Sequence, residues 1–469
     1  MTGVAKRVRH TVSAIWPLVL CLGVNALYRW MTLPPVGERP PYSLILSPSA
    51  SARVSELLAS NPWALLGPVE LDVDRWAWVT TTLVPIYWLE QVLPPAGVYL
   101  VVTSIFVAAL YLCALIASRS RQLASVLGLI AALSTFLSYS FVYGNVMLGY
   151  LFLAWLAIAA TAILAYVRTE QPERRQLAVL LVMLLPLVFA AEYWLNAAIP
   201  VILACVFALF WARRHGDVHL GRRSLVVAGI MLAGMVIYLS VRMLFADPLV
   251  QPGFESESVV TYSHVLMMVE DMAVNYFTHL HMALSSVLPG FLTFSPSLTA
   301  YGPDVLVAEQ NGYHEAYGHL IPASAMTSWR FVAGALILGF FLLGWSWIKA
   351  AWNSADRRRL VLVALFLIAA TGFAIYMPIK MRPFHLTAML GYKSLVASGA
   401  VMALVAWLIY TIGDWAPARW RNLILAGFAA SIVLAAFTRP AAEIAGLHAV
   451  GLDGAGDPLA RFHADTRSE

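Results

Sequence analysis

Charge is the scarce commodity in this chain. Asp, Glu, Lys and Arg make up 12% of 469 residues, while apolar residues reach 61% at a mean hydropathy of +0.76. That balance excludes a water-soluble globular domain and a nucleic-acid-binding surface, and points to a polytopic membrane protein. Cysteine is nearly absent. Cys21, Cys113 and Cys205 all fall within apolar runs, so they read as small buried hydrophobes rather than disulfide partners or metal ligands. The chain has no Gly-rich phosphate loop, no internal repeat and no cytosolic stretch long enough to fold alone, which argues against cytosolic nucleotide chemistry. From Met243 to Trp329 there is no Lys or Arg at all.

What the sequence does have is apolar runs of helix-spanning length. A helix needs about 20 mainly apolar residues to cross the hydrocarbon. Runs near 13–33, 96–117, 123–142, 146–167, 176–191, 196–212, 225–245, 329–348, 359–377, 386–411 and 422–438 give an expected all-α protein with about eleven spans. The first run has a basic start but no small-residue cleavage site behind it, so it reads as a retained helix. Residues 176–212 form a short hairpin turning at "AEYWLN".

The basic residues are distributed unevenly, and this sets the orientation. The segments "AKRVRH", "SRSRQ", "VRTEQPERRQ", "WARRHGDVHLGRRS", "KAAWNSADRRR" and "DWAPARWR" hold 18 of the 30 Lys and Arg but 5 of the 25 Asp and Glu. Under the positive-inside rule these segments are cytoplasmic, and they alternate correctly through the spans. The N-terminus is then expected in the cytoplasm and the C-terminus outside. The formal net charge of +5 is thus a topology signal. The expected organisation is an N-terminal membrane module, 1–245, with an outer segment at 34–95. An outer lid at 246–328, C-terminal helices at 329–438 and an outer tail at 439–469 follow.

The first outer segment concentrates acid. "GPVELDVDRWAW" sets Glu70, Asp72 and Asp74 at alternate positions, which share one side if the chain is extended there. "SASARVSELLASN" reads as a capped amphipathic helix ended by Asn-Pro. "DRWAWVTTTLVPIYWLEQVL" (74–93) is apolar enough to span, but a span there would invert every later loop. Its Trp and Tyr residues suit a helix lying at the membrane interface, with Asp74 favourable at its N-terminus.

Ionisable residues in or beside the spans are few. Arg29 lies near the outer end of the first, Lys393 less than two turns inside the outer end of the tenth, and Lys380, Arg382 and His385 in the turn before it. Snorkelling to the interface accounts for Arg29 more readily than for Lys393. No charge marks the bilayer midplane, which counts against an ion-coupled transporter. Five histidines, His264, His279, His281, His314 and His319, occupy the second outer segment at spacings that match no zinc signature and read as polar loop residues.

A cytoplasmic N-terminus, one span, a long acidic outer loop, many further spans, a second long outer loop and late outer cations together resemble the GT-C superfamily of integral-membrane glycosyltransferases. In size the chain looks most like the bacterial and phage serotype-converting glucosyltransferases. The resemblance covers the whole chain as topology. It implies a polyprenyl-phosphate sugar donor, a glycan or lipid-linked acceptor and a surrounding of membrane lipids, without a cofactor or a sequence-supported metal. It also implies a first-loop carboxylate as catalytic base: Asp72 or Asp74, as D-x-D, with Glu38 in "PPVGERPP" a rival closer to the first span. Arg29, Lys380, Arg382 and Lys393 match the cations that meet the lipid phosphate, and His314 is kept as a substrate-binding candidate. An O-antigen polymerase or ligase, which leans on loop arginines that the second outer segment lacks, and a flippase of lipid-linked sugars are the alternatives.

Overall fold

The computed structural model describes residues 15–29, 70–72, 75–76, 80–133, 145–168, 174–188, 194–245, 323–372 and 395–415, with isolated helical positions elsewhere. The described chain is helical apart from one small hairpin. Five stretches are long and apolar enough to cross a membrane: Gly97–Ser118, Tyr150–Arg168, Ala197–His215, Val218–Ile237 and Gly334–Trp352. The protein is membrane-embedded and α-helical.

The first helix, α1, covers Ile15–Arg29. The hairpin follows, with β1 at Glu70–Asp72 paired antiparallel to β2 at Arg75–Trp76, Asp72 in register with Arg75. The sequence alternates Val69, Leu71 and Val73 with acids, a period of two that favours extended backbone over helix. The expected helix at 74–93 therefore starts later, as α2 at Thr80–Val92, and the capping role assigned to Asp74 does not follow. At 13 residues, α2 measures about 20 Å and contains Pro85. Pro94 and Pro95 then open α3, Pro95–Ser118, where a missing N–H costs nothing.

A tight turn links α3 to α4, Arg121–Ala132. Arg119 takes left-handed backbone (φ 57°) and its N–H caps Leu115 O, while the Ser120 hydroxyl accepts from Leu123 N. Then come α5 (Asn145–Arg168), α6 (Arg174–Val188) and α7 (Trp194–His215). Gly216, at φ 70°, turns the chain directly into α8, Val218–Phe245. Past the second long segment lie α9 (Ala323–Trp352), α10 (Arg357–Thr371) and α11 (Leu395–Trp415).

One continuous core joins these helices. α5 lies at its centre, with α3, α6, α8 and α11 around it, and α10 bridges α7 to α11. Membrane helices approach closely through small residues, because lipid supplies no hydrophobic drive between them. Gly128 lets α4 meet Cys21 and Tyr111; a Cβ there would lie 3.0 Å from Cys21 Sγ. Gly372, just past α10, faces the Ala397 backbone of α11, and Gly344 of α9 faces the Phe366 ring. Tyr276, from the second long segment, donates to Ala370 O at 2.9 Å.

The expected spans at 96–117, 146–167, 196–212 and 329–348 each coincide with a spanning helix, and the one at 225–245 with α8, whose spanning stretch begins earlier, at Val218. Those at 13–33, 123–142, 176–191, 359–377 and 386–411 are described in part, and most of 422–438 lies outside the described residues.

Candidate functional site

Of the sequence-derived site residues, Arg29 is the one whose side chain is described. It sits on the last turn of α1 and is 1% exposed. Its Nη1 donates to Tyr99 Oη at 3.0 Å, and its Nε to Asn25 Oδ1 at 3.4 Å. The guanidinium carbon lies 5.1, 5.5 and 5.7 Å from the ring centres of Tyr28, Tyr99 and Tyr150. This is a cation enclosed by three aromatic faces, each worth about 0.5–2 kcal/mol when desolvated.

Each helix contributes by its own local logic. Asn25 and Arg29 are four apart, so both stand on the same stripe of α1. Asn25 Nδ2 donates to Thr103 Oγ1 at 3.1 Å and Ser104 Oγ at 3.3 Å on α3. Thr103 in turn donates to Tyr99 O at 2.9 Å within its own helix, so its hydroxyl is both donor and acceptor. Tyr99 packs edge-on against Tyr150 of α5, which also meets Phe106. Arg29 is thus turned into the bundle, where Tyr99 and Asn25 outcompete the interface. The snorkelling expected from sequence does not occur.

The cluster occupies one end of the bundle. Tyr99 and Tyr150 are near the starts of α3 and α5, and α2 packs against both helices. The arginine-rich turns gather at the opposite end and close the helix C-termini there. Arg168 donates to Ile116 O at 3.4 Å, Arg223 to Val167 O at 2.8 Å, and Arg214 to Trp352 O at 3.1 Å. Cations at helix C-termini satisfy otherwise unpaired carbonyls and favour the dipole.

Asp72 occupies a strand position, and Asp74 falls in the link between the strands, outside the described residues. Glu38, Lys380, Arg382, Lys393 and His314 also lie outside the described residues, as does the second outer segment apart from Tyr276, Leu280, Ala283, Leu284 and residues 323–328 at the start of α9. Among the described residues, no three His, Cys, Asp or Glu side chains converge as a metal site. Sequence reading missed the tyrosine enclosure. Its signal was available: Asn25 one turn before Arg29, and a Tyr near the same end of each of three helices. The chain matches no protein-family model and no curated protein.

Proposed function

We propose that the protein is a glycosyltransferase that moves a sugar from a polyprenyl-phosphate donor to a cell-surface glycan or lipid-linked acceptor. It acts on the outer, periplasmic face of a bacterial inner membrane, on a frame of about eleven spans with α2 lying at the interface. One observation chiefly supports this reading: an acidic hairpin leads within a few residues into α2, which docks beside the buried Arg29 cluster, at the end of the bundle away from the arginine-rich turns. Carboxylate and cation are the two groups that transfer from a lipid phosphate requires.

In the proposed reaction the acceptor hydroxyl attacks the anomeric carbon. Its proton passes to the carboxylate of Asp72 or Asp74, the bond from the anomeric carbon to the phosphate oxygen breaks, and polyprenyl phosphate leaves with the electron pair. Direct displacement inverts the anomeric centre. Lys380, Arg382 and Lys393 neutralise the growing phosphate charge, and His314 is carried on the 246–328 lid over the acceptor. Arg29 holds the outer end of α1 against α3 and α5 and adds its positive field there.

The carboxylates provide the test. Sugar transfer is measured for Asp72→Asn, Asp74→Asn and Glu38→Gln at matched membrane expression. Loss of a general base lowers the rate by about 10²–10⁴. Asp72→Asn is expected in that range, Asp74→Asn to be impaired, and Glu70→Gln to be tolerated. If Glu38→Gln alone is inactive, the base is the carboxylate nearer α1. If all retain activity, the glycosyltransferase reading fails.

A further inference from the structure

At the end of the bundle opposite Arg29, two connections about 140 residues apart are clamped together. Arg357 reaches Asp217 Oδ2 through Nη2 at 2.5 Å and Nε at 3.1 Å. Trp211 Nε1 donates to Ala351 O at 2.7 Å, and Arg214 lies 5.2 Å over the Trp352 ring. Residues 211–223 and 352–359 together carry seven arginines against two aspartates. Both acids are engaged: Asp217 by Arg357 and the Leu220 N–H, and Asp356 by the Arg358 N–H that it caps.

The arginines divide into two groups. Arg214, Arg223, Arg357 and Arg359 bind carbonyls or Asp217 within the fold. The side chains of Arg213, Arg222 and Arg358 are exposed and make no hydrogen bond or ion pair among the described residues. Next to this corner the surface turns apolar. Leu338, Leu342 and Trp345 form an exposed stripe on α9 at helical spacing, with Trp345 66% exposed, and Phe210 is exposed on α7.

We propose that this corner is a binding site for the headgroup of an anionic phospholipid, with Arg213, Arg222 and Arg358 meeting its phosphate. The acyl chains lie along the apolar stripe of α9. The proposal takes the arginine-rich end as the cytoplasmic one, where anionic lipid attracts juxtamembrane cations at about 1 kcal/mol each. A ligand that satisfies both the cationic corner and the adjoining apolar stripe must itself be amphiphilic. A nucleic acid or acidic peptide would cover the arginines and leave Leu342 and Trp345 untouched. The clamp fixes the spacing of the two arginine groups before lipid arrives, so that little ordering is needed on binding.

The test uses the full chain in a neutral detergent. Retention of phosphatidylglycerol and of phosphatidylcholine is read by native mass spectrometry, and the melting midpoint is followed with each lipid and with inorganic phosphate. The wild type is expected to retain phosphatidylglycerol at least ten-fold better than phosphatidylcholine and to gain thermal stability from it alone. In Arg213→Gln/Arg222→Gln/Arg358→Gln that preference falls at least ten-fold, while the lipid-free midpoint stays at the wild-type value, because none of the three holds the fold together. Equal retention of the two lipids by the wild type, an unchanged preference in the variant, or equal stabilisation by inorganic phosphate would each overturn the proposal. Wild-type discrimination alone decides the matter if the triple variant does not fold.

Discussion

At the scale of single residues, Arg29 and Asp217 show how a nearly charge-free protein uses the charges it has. Each is held by its own chain neighbours together with a group from a distant helix, and that distant partner is not visible in the local sequence. Arg29 stands four residues after Asn25, but the three tyrosines that enclose it come from positions 28, 99 and 150. Arg29→Lys separates enclosure from snorkelling. A compact ammonium cannot match the planar fork that reaches Tyr99 and Asn25 together. The variant is expected to lose about 1–3 kcal/mol, read as a lowered melting midpoint of the purified protein. A midpoint equal to wild type would mean that a charge at the interface suffices. Asp217 gives a pH signature. Burial opposes its ionisation, but the Leu220 N–H and the Arg357 guanidinium outweigh that and hold its carboxyl below the usual carboxylate value. The folded state therefore binds this proton less readily than the unfolded chain does. Its stabilisation is complete above the ordinary carboxylate pKa of about 4 and is lost as pH falls through the lower folded value. The stability gap between wild type and Asp217→Asn is accordingly flat from neutral pH to about pH 5 and narrows below about pH 4. A gap that widens on acidification would contradict the assignment. The half-exposed Arg357 keeps the expected gap small, about 1 kcal/mol or less.

At the scale of elements, the long apolar helices were the most legible feature and the 70–80 region the least. Length and hydropathy locate α3, α5, α7 and α9 within a few residues, because a membrane span must be both long and apolar. In "VELDVDRWAW" two patterns compete, an acidic helix start and a period-two alternation. Pairing of Glu70 with Trp76 and of Asp72 with Arg75 across a short link resolves them in favour of the hairpin. Close helix approach was not legible either, since a glycine in an apolar run gives no sign of what it will face. Gly372 and Gly339 make that contrast measurable. A Cβ on Gly372 would sit 2.9 Å from Ala397 N and 3.3 Å from Ala397 Cα, and since both are backbone atoms of α11, α10 and α11 must separate. Gly372→Ala is expected to cost about 1–3 kcal/mol. Gly339→Ala meets nothing within 4 Å and is expected to be neutral or slightly stabilising, as Ala favours helix by about 1 kcal/mol. Equal melting midpoints for the two variants would show that the α10–α11 contact is looser than described.

At the scale of the whole molecule, the arrangement of charge carries the functional reading. Arg168, Arg214 and Arg223 gather at one end and close helix C-termini, while Arg29, α2 and the start of α3 lie at the other. That segregation was legible in the sequence as an alternation of basic loops, because the positive-inside rule acts on loop charge before any tertiary contact forms. The packing of Tyr99 and Tyr150 around Arg29 was not, since nothing in a spacing reveals which of many helices pack together. The central claim is sugar transfer at the face opposite the arginine-rich turns. Its most direct test is the purified full chain in sealed proteoliposomes, sorted for orientation by protease access to the turn at 213–217. Polyprenyl-phosphate sugar and acceptor are supplied together on one side at a time, and transfer is measured separately from donor crossing. Transfer is predicted when both substrates are on the side opposite that turn, with no net movement of donor across the bilayer. Movement of donor without transfer, or transfer confined to the side of the turn, would contradict the claim.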